Sequence, residues 1–144
     1  MIIAKNAVQS KAQLVVPSHL VSEIISHCRK VYPHEACGIL AGKDGVVKKV
    51  YKMTNIENSG VSYMMEPSEQ FIIMKEMRKE GLDMVALYHS HPHSDAYPSP
   101  RDVKLAFYTE PVYVIVSLIN EPEIRAFTIN EDGVNEVEMK VVLK

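Results

Sequence analysis

A buried strand that ends in two histidines is the feature that most constrains this chain. Residues 83–88 form a nearly continuous apolar run, which is typical of a strand covered on both faces. His89 and His91 follow directly, and their side chains point the same way because strand side chains alternate with a period of two. The run therefore predicts a sheet in which two imidazoles sit together at the mouth of a buried strand.

A carboxylate follows these histidines on the far side of a loop rich in proline. The segment Ser99-Pro100-Arg101-Asp102 supplies it. Two imidazoles and one carboxylate are the ligand set of a catalytic zinc ion rather than of a structural one. A lone histidine on an apolar strand is more often a satisfied core residue, but histidines clustered with a carboxylate usually indicate a metal or catalytic site. A metal-dependent hydrolase is the leading hypothesis.

Ser99 and Asp102 also have a purely structural interpretation. Serine, proline and an acid at these spacings form the N-cap, N1 and N3 positions of a helix with a capping box. The two interpretations are compatible for Ser99, because a hydroxyl accepts one hydrogen bond while donating another. They compete for Asp102, whose carboxylate either reaches back to the cap or turns to a metal. The cap leaves His89 and His91 unexplained, so the ligand role is favoured for Asp102.

Two further polar residues extend the loop. His93 shares the parity of His89 and His91, but Pro92 ends the strand, so alternation need not continue. We interpret His93 as loop surface or as a residue behind the ligands, with a role as an alternative ligand left open. Asp95 is expected to be solvated.

A hydrolytic metal site also needs a general base near the water that it activates. No His-Glu-x-x-His motif occurs in the chain, so the acid must come from another segment. The candidate is Glu35, which lies just before a predicted strand. A solvated loop acid is the alternative, and from spacing alone it is the better one.

Local patterns place the other elements. Ser18 is the expected N-cap of a first helix, which ends by Tyr32 because the residue before a proline disfavours the helical conformation. Lys43-Asp44-Gly45 separates two strand-like runs, 36–41 and 46–53, and Asp-Gly in that position is a strong hairpin signal. Residues 54–65 are polar and irregular, which indicates a loop.

The second half alternates helices and strands. A second helix begins near Pro67, is closed by Gly81 and buries Phe71, Met74 and Met77. The remaining predictions are a short helix over 99–108 and strands over 112–119, 124–129 and 134–142. The expected fold class is α/β of the α+β type, with a mixed, mostly antiparallel sheet flanked by helices.

Bulk properties exclude several classes. The 144 residues, with 47% apolar and 24% charged side chains, suit one globular domain over 1–144 with a real core. A net charge of -2 argues against nucleic acid as a partner, and no apolar run is long enough for a membrane span. Residues 1–13 lack the pattern of a signal peptide. Two sparse cysteines, Cys28 and Cys37, could pair in principle but fit a reduced compartment, so the cytoplasm is the expected location.

The spacing resembles the signature of the JAMM (MPN+) metalloproteases. His89-x-His91-Pro92, then six residues, then Ser99-x-x-Asp102 matches that signature without a gap. The upstream Glu35-Ala36-Cys37-Gly38 is similar to the segment that carries the family's glutamate. The resemblance extends from the first helix to the last strands, and it implies the JAMM fold, related in architecture to cytidine deaminases.

Roles for the site residues follow from the resemblance. It implies that His89, His91 and Asp102 bind Zn²⁺, with water as the fourth ligand. It further implies that Glu35 is the general acid and base and that Ser99 stabilises the oxyanion. Zinc lowers the pKa of a bound water to about 7, which provides hydroxide at neutral pH.

The resemblance also implies a partner and leaves alternatives open. Family members hydrolyse peptide or isopeptide bonds after the C-terminal glycines of ubiquitin-like proteins, and the small prokaryotic members act on sulfur-carrier proteins, including removal of a C-terminal cysteine. Segment 54–66 is the expected substrate-guiding loop, whereas 107–111 is too short for a second large insertion.

A non-catalytic MPN scaffold in a protein complex is the alternative function. A zinc deaminase would need motifs that are absent, and a RadC-like protein is disfavoured by Glu35-Ala36-Cys37-Gly38. The carrier, the leaving group, another divalent metal, and a monomer or homodimer remain open.

Overall fold

The computed structural model describes residues 13–143. The segment on which the expectation of no signal peptide rests therefore lies outside the described residues, apart from Gln13. The strands are β1 (Gln13–Pro17), β2 (Cys37–Lys43), β3 (Val46–Met53), β4 (Asp83–His91), β5 (Val112–Ser117), β6 (Glu123–Asn130) and β7 (Gly133–Val142). The helices are α1 (Ser18–Val31), α2 (Pro67–Lys79) and α3 (Pro100–Lys104).

The strands of the described part of the chain form one closed sheet in the order β1-β3-β2-β4-β5-β6-β7, with β7 returning to β1. The pairs β2–β3, β2–β4, β5–β6 and β6–β7 are antiparallel. The pairs β4–β5, β1–β7 and β1–β3 are parallel, the last through Val15 opposite Val46 alone. The predicted mixed, mostly antiparallel sheet flanked by helices is confirmed.

Strand β4 lies inside the sheet between β2 and β5, and its side chains alternate between two buried environments. Ala86 and Tyr88 belong to a core cluster on the side of α1, together with Leu20, Ile24 and Cys28. Leu87 belongs to a second cluster on the opposite side, with Met65, Met77 and Tyr113. His89 and His91 share the parity of Leu87 and therefore emerge on that second side. Both are buried.

The hairpin is confirmed and the first helix cap is corrected. Asp44 and Gly45 both have positive φ, 51° and 78°, as a two-residue hairpin turn of type I′ requires. Ser18 is the first residue of α1 rather than its N-cap, which is Pro17 without a side-chain cap bond. The reason is β1, which the sequence analysis did not predict: its pairing with β7 runs through Pro17, so the chain enters the helix directly from a strand.

Two details of the other helices also differ from expectation. Phe71 is 64% exposed, whereas Met77 is buried. The buried stripe instead includes Ile73 and Met74, because Phe71 lies about 120° around the helix from Met77 at 3.6 residues per turn. Helix α3 spans only Pro100–Lys104 rather than 99–108. No helix within residues 13–143 is long and apolar enough to cross a membrane.

Candidate metal centre

The end of β4 and the first turn of α3 bring three potential ligand atoms together. The Nε2 atoms of His89 and His91 are 3.2 Å apart. Oδ2 of Asp102 lies 3.1 Å from the first and 3.0 Å from the second. Ligands about 2.0 Å from a tetrahedral ion are separated from one another by about 3.3 Å. The three atoms are therefore spaced as three corners of such a coordination shell, and the predicted ligands can hold a metal ion.

A backbone carbonyl fixes the orientation of His91. Its Nδ1–H donates to the carbonyl oxygen of Asp95 at 2.7 Å, which leaves the Nε2 lone pair directed at the cluster, as in most histidine ligands of metals. The Asp95 side chain is exposed as expected, but the role of its carbonyl was not anticipated. His93 is exposed and lies outside the cluster, in agreement with its interpretation as loop surface.

His89 is held differently. The ring of Tyr63 stacks on it, with centroids 4.6 Å apart and planes inclined by 27°. Its Nδ1 is buried and has no hydrogen-bond partner among the described residues. Packing therefore orients this imidazole, where a hydrogen bond orients His91. Tyr63 lies in the predicted substrate-guiding loop, and nothing in its sequence context indicated that it contacts a candidate ligand.

The expected competition for the carboxylate of Asp102 does not exist. The backbone N–H of Ser99 donates to Oδ2 of Asp102 at 2.9 Å, and Oγ of Ser99 accepts from the backbone N–H of Asp102 at 3.0 Å, which completes a capping box. The same Oδ2 atom faces both histidines. The cap therefore aims the carboxylate at the cluster instead of removing it.

The electrostatics of the cluster favour a cation. Burial alone would raise the pKa of Asp102, but hydrogen bonds with His89 and His91 outweigh burial and hold that pKa well below its usual range. Burial lowers the pKa of His89 despite the nearby Asp102. Burial opposes the charged form of His91 as well, but Asp102 and the Asp95 carbonyl outweigh it and raise the pKa of His91. An ionised carboxylate beside a neutral imidazole is the protonation state in which these groups bind metals.

Glu35 lies next to the cluster, two residues before the neighbouring strand β2. Cys37 pairs with His89, and the N–H of Ser90 donates to the carbonyl of Ala36 at 3.0 Å, so the register brings Glu35 beside His91. Glu35 is only 3% exposed, and its Oε1 is without a hydrogen-bond partner in the described part of the chain. The solvated-acid interpretation is therefore wrong.

Burial dominates the acidity of Glu35. It raises the pKa of this carboxyl to about 7; His91 and Arg101 oppose the increase, while Asp102 and Glu57 add to it. A carboxyl with a pKa near neutrality can both accept and donate a proton at physiological pH. The position and the acidity of Glu35 thus suit a general acid and base.

Asn55 ties the loop of residues 54–66 to Glu35. Its Nδ2 donates to the carbonyl oxygens of Glu35, at 3.0 Å, and Ser62, at 3.1 Å. Its Oδ1 accepts from the N–H groups of Glu57 and Met64, at 3.0 and 3.1 Å. This buried amide thus organises the loop from inside. A single asparagine in a polar segment carries no sequence signal of such a role, because its partners are defined only by the fold.

A cavity of about 510 Å³ opens beside the cluster. The loop 54–66 forms one wall, and α3 with the residues after it forms another. Its lining includes Tyr63, Met65, His89, Arg101, Asp102 and Tyr113. The candidate ligands thus lie at the edge of a cavity large enough for an extended peptide segment or a small ligand.

Two histidines, an aspartate and a buried glutamate beside a cavity suit metal-dependent hydrolysis, because they supply ligands for an ion and a carboxyl for proton transfer. A family model described as prokaryotic homologs of the JAB domain matches residues 17–130. The chain belongs to this family, and it is an enzyme of the JAMM peptidase class.

Curated relatives share most of the chain. The CysO-cysteine peptidase of Mycobacterium tuberculosis is 37% identical over 134 residues, which cover 90% of this chain and 91% of the relative. A probable TtuB-protein conjugate cleaving protease of Thermus thermophilus is 36% identical over 119 residues, covering 82% of this chain and 77% of the relative.

Solved structures agree with the fold. Protein DSY2949 from Desulfitobacterium hafniense superimposes with a TM-score of 0.84 at 36% identity, over 91% of this chain and 94% of that one. A structure described as the JAMM metalloprotease-like zinc site in the proteasome and signalosome matches with a TM-score of 0.59 at 19% identity, over 90% of this chain and 98% of that one. The latter likeness shows the fold alone, and the predicted JAMM fold is confirmed.

Proposed function

We propose that this protein is a zinc-dependent metallopeptidase that hydrolyses the peptide or isopeptide bond after the C-terminal Gly-Gly of a ubiquitin-like or sulfur-carrier protein. The observation that carries the proposal is the convergence of three ligand atoms beside the buried carboxylate of Glu35, whose Oε1 has no hydrogen-bond partner among the described residues. The names of the relatives, a CysO-cysteine peptidase and a TtuB-protein conjugate cleaving protease, support this class of substrate.

His89, His91 and Asp102 would hold the metal. Two imidazole nitrogens and one carboxylate oxygen suit zinc, and the set leaves a position open for chemistry. A zinc ion bound there would supply a Lewis acid that activates water and polarises the scissile carbonyl. The hydrogen bond from His91 to the Asp95 carbonyl and the stack of Tyr63 on His89 hold the ligands in place for it.

Glu35 would move the proton. It takes a proton from the attacking water and delivers it to the leaving amine, which departs neutral as the carbon–nitrogen bond breaks. The Oε1 atom, which has no hydrogen-bond partner within residues 13–143, is the atom available for this transfer. Burial raises the pKa of Glu35 to about 7. Near neutral pH, neither accepting a proton nor releasing it therefore costs this carboxyl much free energy.

Ser99 would stabilise the oxyanion that develops on the scissile carbonyl. Its Oγ already accepts the backbone N–H of Asp102, so its own O–H is the group that can donate. The capping box fixes the position of that hydroxyl next to the ligand Asp102. A donor held in advance where negative charge develops lowers the activation barrier without reorganisation.

The cavity would receive the substrate tail. An extended Gly-Gly segment has no side chains, so it can lie close to the wall that the loop 54–66 provides, bound by backbone hydrogen bonds as an added strand is.

We also place the protein in the cytoplasm, because Cys28 and Cys37 are both buried and free, as expected in a reducing compartment.

The test is direct cleavage. Zinc-loaded protein is incubated with Gly-Gly-ending carriers of its host, each extended by cysteine or by a short peptide, and the products are followed by mass. We expect removal of everything after the second glycine. The Glu35→Gln variant, which keeps the shape of the side chain, should retain zinc and lose about 10²- to 10⁴-fold in rate. Intact substrates throughout, with zinc shown to be bound, would contradict the proposal.

A further inference from the structure

Arg101 lies on the wall of the cavity, and in sequence it stands between the N-cap residue Ser99 and Asp102. It lines the cavity together with His89 and Asp102, and its charge acts on Glu35 across the site. An arginine that lines the same cavity as two candidate ligands is a candidate contact for a charged group of the substrate.

The ion pair that Arg101 forms is weak. Its Nη2 lies 3.4 Å from each carboxylate oxygen of Glu57, well beyond the 2.7–2.9 Å of strong charge-assisted hydrogen bonds. Half of the Arg101 side chain is exposed, and the Glu57 carboxylate is also engaged by the hydroxyl of Ser62. Exposed pairs of this kind stabilise a fold by less than about 1 kcal/mol, so a ligand can replace Glu57 at little cost.

Arg125 shows how this molecule builds an arginine pair for structure. Its Nε and Nη2 bind the two carboxylate oxygens of Glu136 at 3.0 and 2.8 Å, a bidentate pair that uses the fork of the guanidinium. Arg101 makes both of its contacts with Glu57 through one nitrogen. The pair with Glu57 therefore does not use the two-nitrogen fork of Arg101, which is the geometry that recognises a carboxylate.

The chemistry of the leaving group supplies such a carboxylate. When the bond after the last glycine joins a single amino acid, water adds its oxygen to the glycine carbonyl carbon and Glu35 passes a proton to the departing α-nitrogen. The free carboxylate of that amino acid is attached to the carbon next to this nitrogen. In an isopeptide bond the departing nitrogen ends a lysine side chain, and no carboxylate lies beside it.

We propose, on the basis of the proposed function, that Arg101 binds the free α-carboxylate of a single-amino-acid leaving group and releases Glu57 when it does so. Arg101 is thus a specificity-determining residue, which favours a peptide-linked terminal amino acid over amidated or isopeptide-linked substrates. Glu57 competes with the substrate carboxylate for the same guanidinium.

The experiment compares one Gly-Gly-ending carrier in two forms, extended by a cysteine with a free carboxylate or by a cysteine amide. Hydrogen bonds to charged groups are worth about 10- to 100-fold in an equilibrium. We therefore expect the wild type to favour the acid by about that factor in kcat/KM. Arg101→Gln should remove this preference, so that the ratio of kcat/KM for the acid to kcat/KM for the amide falls to about one.

Two further variants sharpen the result. Glu57→Gln should lower KM for the acid and leave KM for the amide unchanged, because it frees Arg101. Arg29→Gln, which removes the same charge from an exposed position on α1, should leave the preference intact.

Equal cleavage of acid and amide by the wild type would overturn the assignment, as would an equal loss on both substrates in Arg101→Gln. Failure of the zinc-loaded wild type to cleave either form would instead contradict the proposed function itself.

Discussion

The two sides of β4 carry side chains that are equally buried but chemically opposite. Tyr88 points towards α1, where its hydroxyl forms a 2.6 Å hydrogen bond with Nδ1 of His27, and its ring packs against Gly38. His89, the next residue, points to the other side, where Tyr63 stacks on its ring but its Nδ1 finds no partner within residues 13–143. On the first side the buried polar groups of this pair are satisfied, and on the second a polar atom is left open.

The difference between the two faces of β4 indicates that one face stabilises the fold and the other carries the reactive groups. A buried polar atom without a partner costs about 1–3 kcal/mol. Among the described residues, three such atoms lie on the His89 side of the sheet: Nδ1 of His89, Oε1 of Glu35 and Oη of Tyr51. A bound cation would use His89, and a transferable proton would use Glu35. The alternation of a single strand thus lets one face stabilise the fold while the other keeps reactive groups, and substitutions on the two faces should have different consequences.

The largest effect is expected at Asp102. The variant Asp102→Asn keeps an oxygen that can accept the N–H of Ser99, so the cap survives, but it removes the negative charge from the cluster. We expect cleavage to fall by about 10³-fold or more, with zinc lost on dialysis and little change in the free energy of unfolding. Metal analysis and rate measurements check this. A variant that retained zinc and activity would show that the cap is the only role of Asp102.

The next largest effect is expected on the other face. A Cβ added at Gly38 would lie 2.2 Å from Cε2 of Tyr88 and 2.6 Å from the backbone oxygen of Tyr51, and the backbone cannot yield cheaply. We expect Gly38→Ala to lower the free energy of unfolding by about 3 kcal/mol, measured by denaturant titration. The properly folded fraction should bind zinc normally. Unchanged stability would mean that Tyr88 is not tightly confined.

A smaller, pH-dependent effect is expected from Glu35. Its pKa is raised to about 7 in the folded protein, against about 4.3 in an unfolded chain, so the folded state holds its proton more tightly. The stability that this provides is complete below about pH 4 and is lost as the pH rises towards 7.

The measurement compares metal-free wild type with Glu35→Gln, so that other titrating groups cancel. The wild type should lose on the order of 2 kcal/mol relative to the variant between pH 4.5 and 8. Parallel stability curves for the two proteins would show that the carboxyl is not desolvated.

The smallest effect is expected at Tyr88 itself. Tyr88→Phe removes the hydroxyl that binds His27 and should lower the free energy of unfolding by about 1 kcal/mol without changing the rate of cleavage. Thermal unfolding and a cleavage assay on the same sample check both parts. A rate change larger than the stability change would contradict the separation of the two faces.

The residues of the site that lie close together in sequence could be predicted from the sequence alone. His89, His91, Ser99 and Asp102 lie within one short segment, and strand alternation with helix-capping chemistry was enough to predict their grouping. What local patterns could not decide was whether the cap and the cluster compete for Asp102, because the answer depends on where α3 stands relative to β4. Local patterns offered Glu35 as a candidate general base but favoured a solvated loop acid, and only the family resemblance favoured the catalytic role, since the burial of Glu35 arises from pairing between β2 and β4.

The other contacts that were not predicted also depend on how distant segments pack together. The amide of Asn55, the stack of Tyr63 on His89 and the ion pair of Arg101 with Glu57 all join segments that are distant in sequence. The exposure of Phe71 depends on which face of α2 meets the sheet, and an apolar residue at helical spacing does not reveal that face. Periodicity predicts which residues are able to be buried, whereas packing decides which of them are.

Titration of metal-free protein with zinc, with the rate of carrier cleavage measured at each addition, tests the central claim most directly. We expect no cleavage without metal, a linear rise up to one equivalent of zinc per chain, and a plateau beyond it. Full activity in the metal-free protein, or no activity at any zinc concentration, would contradict the account of the His89 face as a metal-dependent hydrolytic site.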